Sequence, residues 1–255
     1  MSSEESTKAE STSPSQPDPS QPKSTLLEKQ AEWLAPARSR MLRRIGVARR
    51  QNILDLGAGY GSVSGELRRR SLGRVIALDH SWKSLREIHE EKEVFRIVGN
   101  AAQLPHAGSS FDLVFCQVGL LWMKPIQKIV REIWRVLRAG GIFLSIEPDY
   151  FSMIEYPEEI ATRDIWINAL TRAGGDPEVG RILPSILEFV GFTVRIDLLE
   201  RIRPPSPFRF ELLRELPLSH IERDRLNQLE YLSDQVSGWS QITHLPFILT
   251  TAEKR

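Results

Sequence analysis

The chain has 255 residues, 41% apolar and 26% charged, with a formal net charge of +1. That length suits one domain of ordinary size plus a tail, and the balanced charge gives no general electrostatic reason to bind nucleic acid or a membrane surface. A lone cysteine, Cys116, excludes an internal disulfide, no apolar run is long enough to cross a bilayer, and the N-terminus lacks a secretory signal, so a soluble, cytoplasmic protein is expected.

Residues 1–24 are rich in Ser, Pro, Glu and Gln, offer almost nothing to bury, and are expected to form a disordered tail ahead of one domain over 25–255. Leu27, Ala31, Leu34, Met41 and Ile45 then keep a helical spacing, which Pro36 interrupts, predicting two short helices meeting at a kink. Arg38, Arg40, Arg43 and Arg44 decorate this stretch, either as a solvated face or as a patch for an anionic partner. Short β-branched runs at 52–56, 74–78, 94–98, 111–116 and 142–147 read as buried strands. The clearest helix between them starts at Pro125, places Ile126, Ile129, Val130, Ile133, Trp134 and Leu137 on one face, and is expected to end in a left-handed cap at Gly140–Gly141. Such alternation predicts an α/β architecture, a mostly parallel sheet with helices on both faces. Further on, helices are expected around 158–173 and 182–190, then a strand over 192–199, a helical insert or lid over 203–240, and a last strand over 243–251.

The first strand runs into ILDLGAGYG, residues 53–61. Gly57, Gly59 and Gly61 behind a buried strand make a ligand-binding turn at a strand's carboxyl end, where a ligand can lie against bare main chain. Two ligand classes use such a turn: dinucleotides, and adenosyl cofactors without phosphates. Asp55 separates them. A carboxylate there repels a pyrophosphate by roughly 1 to 4 kcal/mol at about 4 Å, whereas it attracts the ammonium and sulfonium of S-adenosyl-L-methionine. Position 62 is Ser, where the dinucleotide pattern requires a third glycine, so the turn favours the adenosyl cofactor. Asp79, ending RVIALD, is placed to accept from ribose hydroxyls, and His80 either lines the adenine pocket or is merely exposed.

ILDLGAGYG, VIALDHS, VGNAAQLPHAGSSFDLVFC and IVREIWRVLRAGG together resemble the ordered motifs of class I S-adenosylmethionine-dependent methyltransferases, and more closely the small-molecule branch with the quinone-biosynthesis enzymes. The resemblance covers about residues 26–200. It implies a Rossmann-like, seven-stranded sheet whose last strand is antiparallel. It also implies that Asp55 and the three glycines hold the methionyl end, that Asp79 binds ribose, and that Asn100-Ala101 bind adenine, with Asn100 standing where the family usually has Asp. Gln117 falls where the family's main chain approaches the cofactor.

Methyl transfer is an in-line displacement, so alignment matters more than a catalytic dyad, and a general base is needed only for a weakly acidic or protonated acceptor. Glu147 or Asp149 are candidates for a base or for a cationic acceptor's partner, Tyr150 or Trp122 for stacking on a flat one, His106 for a base, and Arg181 for an anionic substrate. Trp122, the acids and Arg181 have structural alternatives: core packing, helix capping and an exposed connection, respectively. No metal site is assigned. The expected function is transfer of a methyl group from S-adenosylmethionine to a small-molecule acceptor. A nucleic-acid methyltransferase is disfavoured because CQVGLLW after the fourth strand lacks an Asn/Asp-Pro-Pro-aromatic run, and a non-catalytic cofactor-binding regulator is the alternative of a different kind.

Overall fold

β1 (Asn52–Leu56) is buried along all but its first residue, the pattern of a strand covered on both faces. The structure is a computed structural model and describes residues 24–88, 93–198, 202 and 205–255. The expected tail over 1–24 lies outside the described residues apart from Ser24, as do the end of the strand expected over 192–199 and residues 203 and 204 of the expected insert. β1 pairs in parallel with β2 (Arg74–Asp79) and β4 (Phe111–Gln117); β2 carries β3 (Phe95–Val98), and β4 carries β5 (Leu137–Pro148). β9 (Phe247–Glu253) then runs antiparallel to both β5 and β7 (Thr193–Leu198). The seven strands lie in the order β3-β2-β1-β4-β5-β9-β7. Six strands run one way and the last, β9, runs against them, which matches the expected sheet.

Helices cover both faces. On one, α1 (Ser24–Arg44) and α2 (Ser64–Arg70) contribute Leu34, Met41, Leu42 and Leu67 to a cluster with Ile53, Val75, Phe115 and Leu144. On the other, α4 (Ile126–Val136) and α6 (Val179–Val190) bury Ile129, Ile133, Leu183 and Leu187 against Leu54, Val114 and Phe143. The same cluster takes in α5 (Arg163–Arg172), α7 (Phe208–Arg214) and α8 (His220–Asp234), which carry Trp166, Phe210 and Leu229. A short α3 (Trp82–Leu85) follows β2. Among the described residues no helix is long and apolar enough to cross a membrane.

Three local expectations are corrected. The first concerns Pro36, which does not divide α1: the helix is continuous around it. Proline removes one donor, but Leu34, Ala37, Met41 and Leu42 are all nearly fully buried on the same stripe, and that packing carries the helix through. The second concerns α4, which ends at Val136 rather than at Gly140–Gly141. Its last carbonyls are taken up by a side chain, since Lys254 Nζ donates 2.6 Å to both Trp134 O and Leu137 O. The two glycines belong to β5 instead, inside a register shift between Phe111↔Leu137 and Leu113↔Ile142, where Gly140 has φ +71°. The third concerns the last strand, which is two. β8 (Ile242–His244) pairs with β6 (Ile154–Tyr156) in a separate ribbon, and β9 starts after Pro246. Pro246 has no N–H to give to a ladder, and its carbonyl accepts instead from Asp149 N at 2.9 Å.

The α4 stripe gives a stability prediction. Ile133 is fully buried under the sheet, so Ile133→Ala should cost about 2–5 kcal/mol in urea unfolding; a loss below about 0.5 kcal/mol contradicts this packing.

Candidate functional site

The site begins where β1 ends. Asp55 is 3% exposed, with Ser64 Oγ of the first turn of α2 donating to its Oδ2 at 2.5 Å. Burial pushes its carboxyl up to about 6, against the pull of the Ser64 hydroxyl and of the Arg38 guanidinium. The main chain then doubles back over β2: Gly57 N and Ala58 N both donate to Leu78 O, at 2.8 and 3.1 Å. Gly57, Gly59 and Gly61 all have positive φ, 73°, 51° and 71°. At Gly57 glycine is required twice over, since a Cβ would also stand 2.6 Å from Met123 Cε.

Asp79, at the tip of β2, holds this turn in place. Its Oδ2 accepts from Gly59 N and its Oδ1 from Ser81 N, each at 2.9 Å, while His80 Nδ1 lies 3.2 Å from Oδ1. A carboxylate offers about four acceptor positions, so capacity remains for a ligand. Beside it opens a cavity of about 500 Å³ lined by Gly57, Asp79, His80, Asn100, Ala101 and Trp122, with Met123 and Lys124 beyond them. The Asn100 side-chain oxygen accepts from Ala102 N at 2.8 Å, which fixes the amide at the cavity mouth. Of the residues expected at a cofactor, Gly57, Asp79, His80, Asn100 and Ala101 line this cavity, whereas Asp55, Gly59, Gly61 and Gln117 stand behind its wall.

The expected acceptor residues are placed differently from one another. Trp122 lines the cavity and is 39% exposed. Glu147 does not line it: fully buried, it accepts from the backbone amides of Gly119, Leu120 and Leu121 at 3.2, 3.1 and 3.3 Å. It caps the short helix Leu120–Trp122 and so positions Trp122. Burial pushes its carboxyl up to about 7. Asp149 and Arg181 meet each other, Arg181 Nε donating to Asp149 Oδ1 and Oδ2 at 2.9 and 3.0 Å, with Ser152 Oγ donating 2.7 Å to the same Oδ2. Tyr150 is buried with its ring 5.2 Å from that of Trp166, and burial pushes its phenol up. His106 lies away from the cavity, its ring 4.9 Å from that of Phe111; burial and then the neighbouring Arg135 pull its imidazole down. Cys116 is a fully buried free thiol in β4. Among the described residues no group of three or more His, Cys, Asp and Glu is arranged to hold a metal ion.

Gln117 leads to a residue whose role the sequence did not disclose. Its Oε1 accepts from Arg38 Nη1 at 2.8 Å; the same guanidinium donates to Glu66 of α2 at 2.7 Å and to Ala31 O at 2.9 Å. Arg38 is 3% exposed. It is one arginine in a run of four, set apart from the exposed Arg40 and Arg43 only by its place between Leu34 and Met41 on the helix's apolar stripe. Lys124 is the other, with Nζ 3.4 Å from Gly175 O at the cavity wall.

Comparison with known proteins agrees with this geometry. Residues 54–145 match the family described as "Methyltransferase domain". A malonyl-[acyl-carrier protein] O-methyltransferase of Xylella fastidiosa is 32% identical over 119 residues, 44% of this chain and 40% of that protein. The ubiquinone/menaquinone biosynthesis C-methyltransferase UbiE of Klebsiella pneumoniae is 33% identical over 111 residues, 40% of this chain and 44% of that protein. The chain spans less than half the length of these curated relatives. The solved YcgJ protein of Bacillus subtilis has a TM-score of 0.63 at 19% identity, covering 85% of this chain and 97% of that one. A phosphoethanolamine N-methyltransferase of Haemonchus contortus, solved with S-adenosyl-L-methionine, has a TM-score of 0.58 at 18% identity, covering 89% and 53%. At such identities the likeness is one of fold.

The Glu147 cap makes stability depend on pH. The folded chain keeps this proton up to about pH 7, the unfolded chain only to the ordinary 4.5, so the folded state binds more protons in between and its stability falls as pH rises through that window. Glu147→Gln should flatten that fall in melting temperature between those values. A variant that follows the wild-type slope contradicts it.

Proposed function

We propose, on the premise that residues 54–145 form a methyltransferase domain, that the chain binds S-adenosyl-L-methionine in the 500 Å³ cavity and transfers its methyl group to a small-molecule acceptor. The observation that carries this is the pair of carboxylates, Asp55 and Asp79, set under and beside a glycine turn that leaves main chain bare. Negative charge here suits a cationic ligand and opposes a pyrophosphate.

The residues fit the cofactor. Bound there, it supplies an electrophilic methyl on sulfur. Asp55, tied to Ser64, attracts the ammonium end; Asp79 keeps acceptor capacity for ribose hydroxyls beyond its two amide bonds. Asn100 and Ala101 sit on the wall for adenine, and His80, 80% exposed at its side chain, borders the same space. Gln117 acts at one remove, holding Arg38. What remains for the protein is alignment and exclusion of water. Trp122, presented by the Glu147 cap, gives a flat surface on which an acceptor can stack. Glu147 thereby serves to position rather than to remove protons, and the Asp149–Arg181 pair ties the end of β5 to α6.

The helical insert touches α1. Lys29 of α1 pairs with Glu211 of α7 at 3.2 Å and lies 5.6 Å from the Phe208 ring centre. Similar chains are a malonyl-[acyl-carrier protein] O-methyltransferase and a C-methyltransferase of ubiquinone/menaquinone biosynthesis, which supports a metabolite rather than a nucleic acid as acceptor. The buried free thiol of Cys116 suits a reducing, cytoplasmic setting.

Asp55 supplies the test. With its carboxyl at about 6, the ionised form that attracts an ammonium is depleted below that pH. Calorimetric affinity for S-adenosylhomocysteine should therefore rise roughly tenfold per pH unit up to about pH 6 and level off above it. Asp55→Asn should weaken binding by about 10- to 100-fold at pH 7 and flatten the profile. Unchanged affinity in that variant would falsify the proposed role.

A further inference from the structure

β7 closes the strand order beyond β9, with no further described strand beside it. Its outer row of main-chain donors and acceptors is a template for another strand, and such edges are usually guarded by a proline, a bulge, charged side chains or a very short strand; here the guard is one Arg and one Asp, which a partner of complementary charge order can match. TVRIDL has no proline and pairs with β9 through six consecutive residues without a register shift. On the α6 side Val194 packs against the core, whereas Ile196 and Leu198 remain 50% and 57% exposed. Arg195 and Asp197 share the other face, where Arg44 at the end of α1 reaches Asp197 at 2.5 Å and Arg195 lies 3.4 Å from the same carboxylate.

We infer that β7 is the surface through which two copies of this chain pair, antiparallel, about a twofold axis perpendicular to the sheet at Ile196. That axis sets Arg195 of each copy opposite Asp197 of the other, and Val194 opposite Leu198, with Ile196 facing its own counterpart. The contact is self-complementary, as a closed twofold interface requires. The charge order selects the register. An axis at Arg195 sets two arginines against each other, one at Asp197 sets two acids, and like charges directly opposite are destabilising. In the pairing centred on Ile196 the exposed Ile196 and Leu198 side chains both gain an apolar neighbour while the charges are also matched; an axis at Asp197 would likewise join Ile196 to Leu198 but only by opposing two acids. Arg195, 63% exposed at its side chain, is free to swing to the second copy. A second copy is the occupant that meets both demands, an unpaired strand rim and a mirror-ordered charge pair.

Sedimentation equilibrium on the full chain tests this. The wild type should form a dimer. Arg195→Asp, which brings two acids opposite Asp197, should weaken it by about tenfold or more, and adding Asp197→Arg to that variant should restore it by facing opposite charges again. Ile196→Lys should give monomers, with unchanged far-ultraviolet circular dichroism showing that the fold survives. A wild type that stays monomeric, or a dimer indifferent to Arg195→Asp and Ile196→Lys, overturns the inference.

Discussion

The amide of Gly59 donating to Asp79 Oδ2 at 2.9 Å joins the tips of two strands and shapes the cavity between them. Without an acceptor at that point the turn after β1 would have three residues in left-handed conformations and little to hold them. With it, the turn lies flat across the tip of β2, its first two amides bonded to Leu78 O. The acid that orders the turn also lines the cavity. One side chain therefore sets both the shape of the cavity and the sign of its charge.

A second network fastens α1 to the same strand ends. Arg38 is buried among Glu66, Gln117 and Ala31 O and lowers the charging cost of the adjacent Asp55. A buried guanidinium is tolerable only when its donors are matched. Here the matches come from three elements: α1 itself, α2 and β4. The helix that precedes the sheet is thereby made part of the site, although it contributes no motif. Glu147 works in the same manner at the tip of β5, using three backbone amides to present the turn that carries Trp122.

What the sequence made legible follows from how local each signal is. Strand cores such as ILDL and FDLVFC are apolar but for one acid each, and the glycine turn follows the first of them directly, so the strands stand where expected and Gly57 and Asp79 meet at the cavity. Boundaries decided by distant groups were not legible. The end of α4 depends on Lys254, more than a hundred residues away, and the start of β9 on the carbonyl of Pro246 meeting Asp149. The β6–β8 ribbon consists of three-residue strands whose pairing no periodicity announces. The candidate acceptor residues divide for the same reason: Trp122 reaches the cavity, while Glu147, Asp149 and Arg181 are claimed by partners far apart in the chain.

The central claim is that two acids at a bare main-chain turn choose a cationic sulfur donor over a phosphorylated cofactor. Isothermal titration of the full chain with S-adenosylmethionine and, separately, with NAD measures that choice directly. The account predicts saturable binding of the former, lost on Asp79→Ala, and no measurable heat from the latter. Binding of NAD at the same cavity, with none of the sulfonium compound, contradicts it.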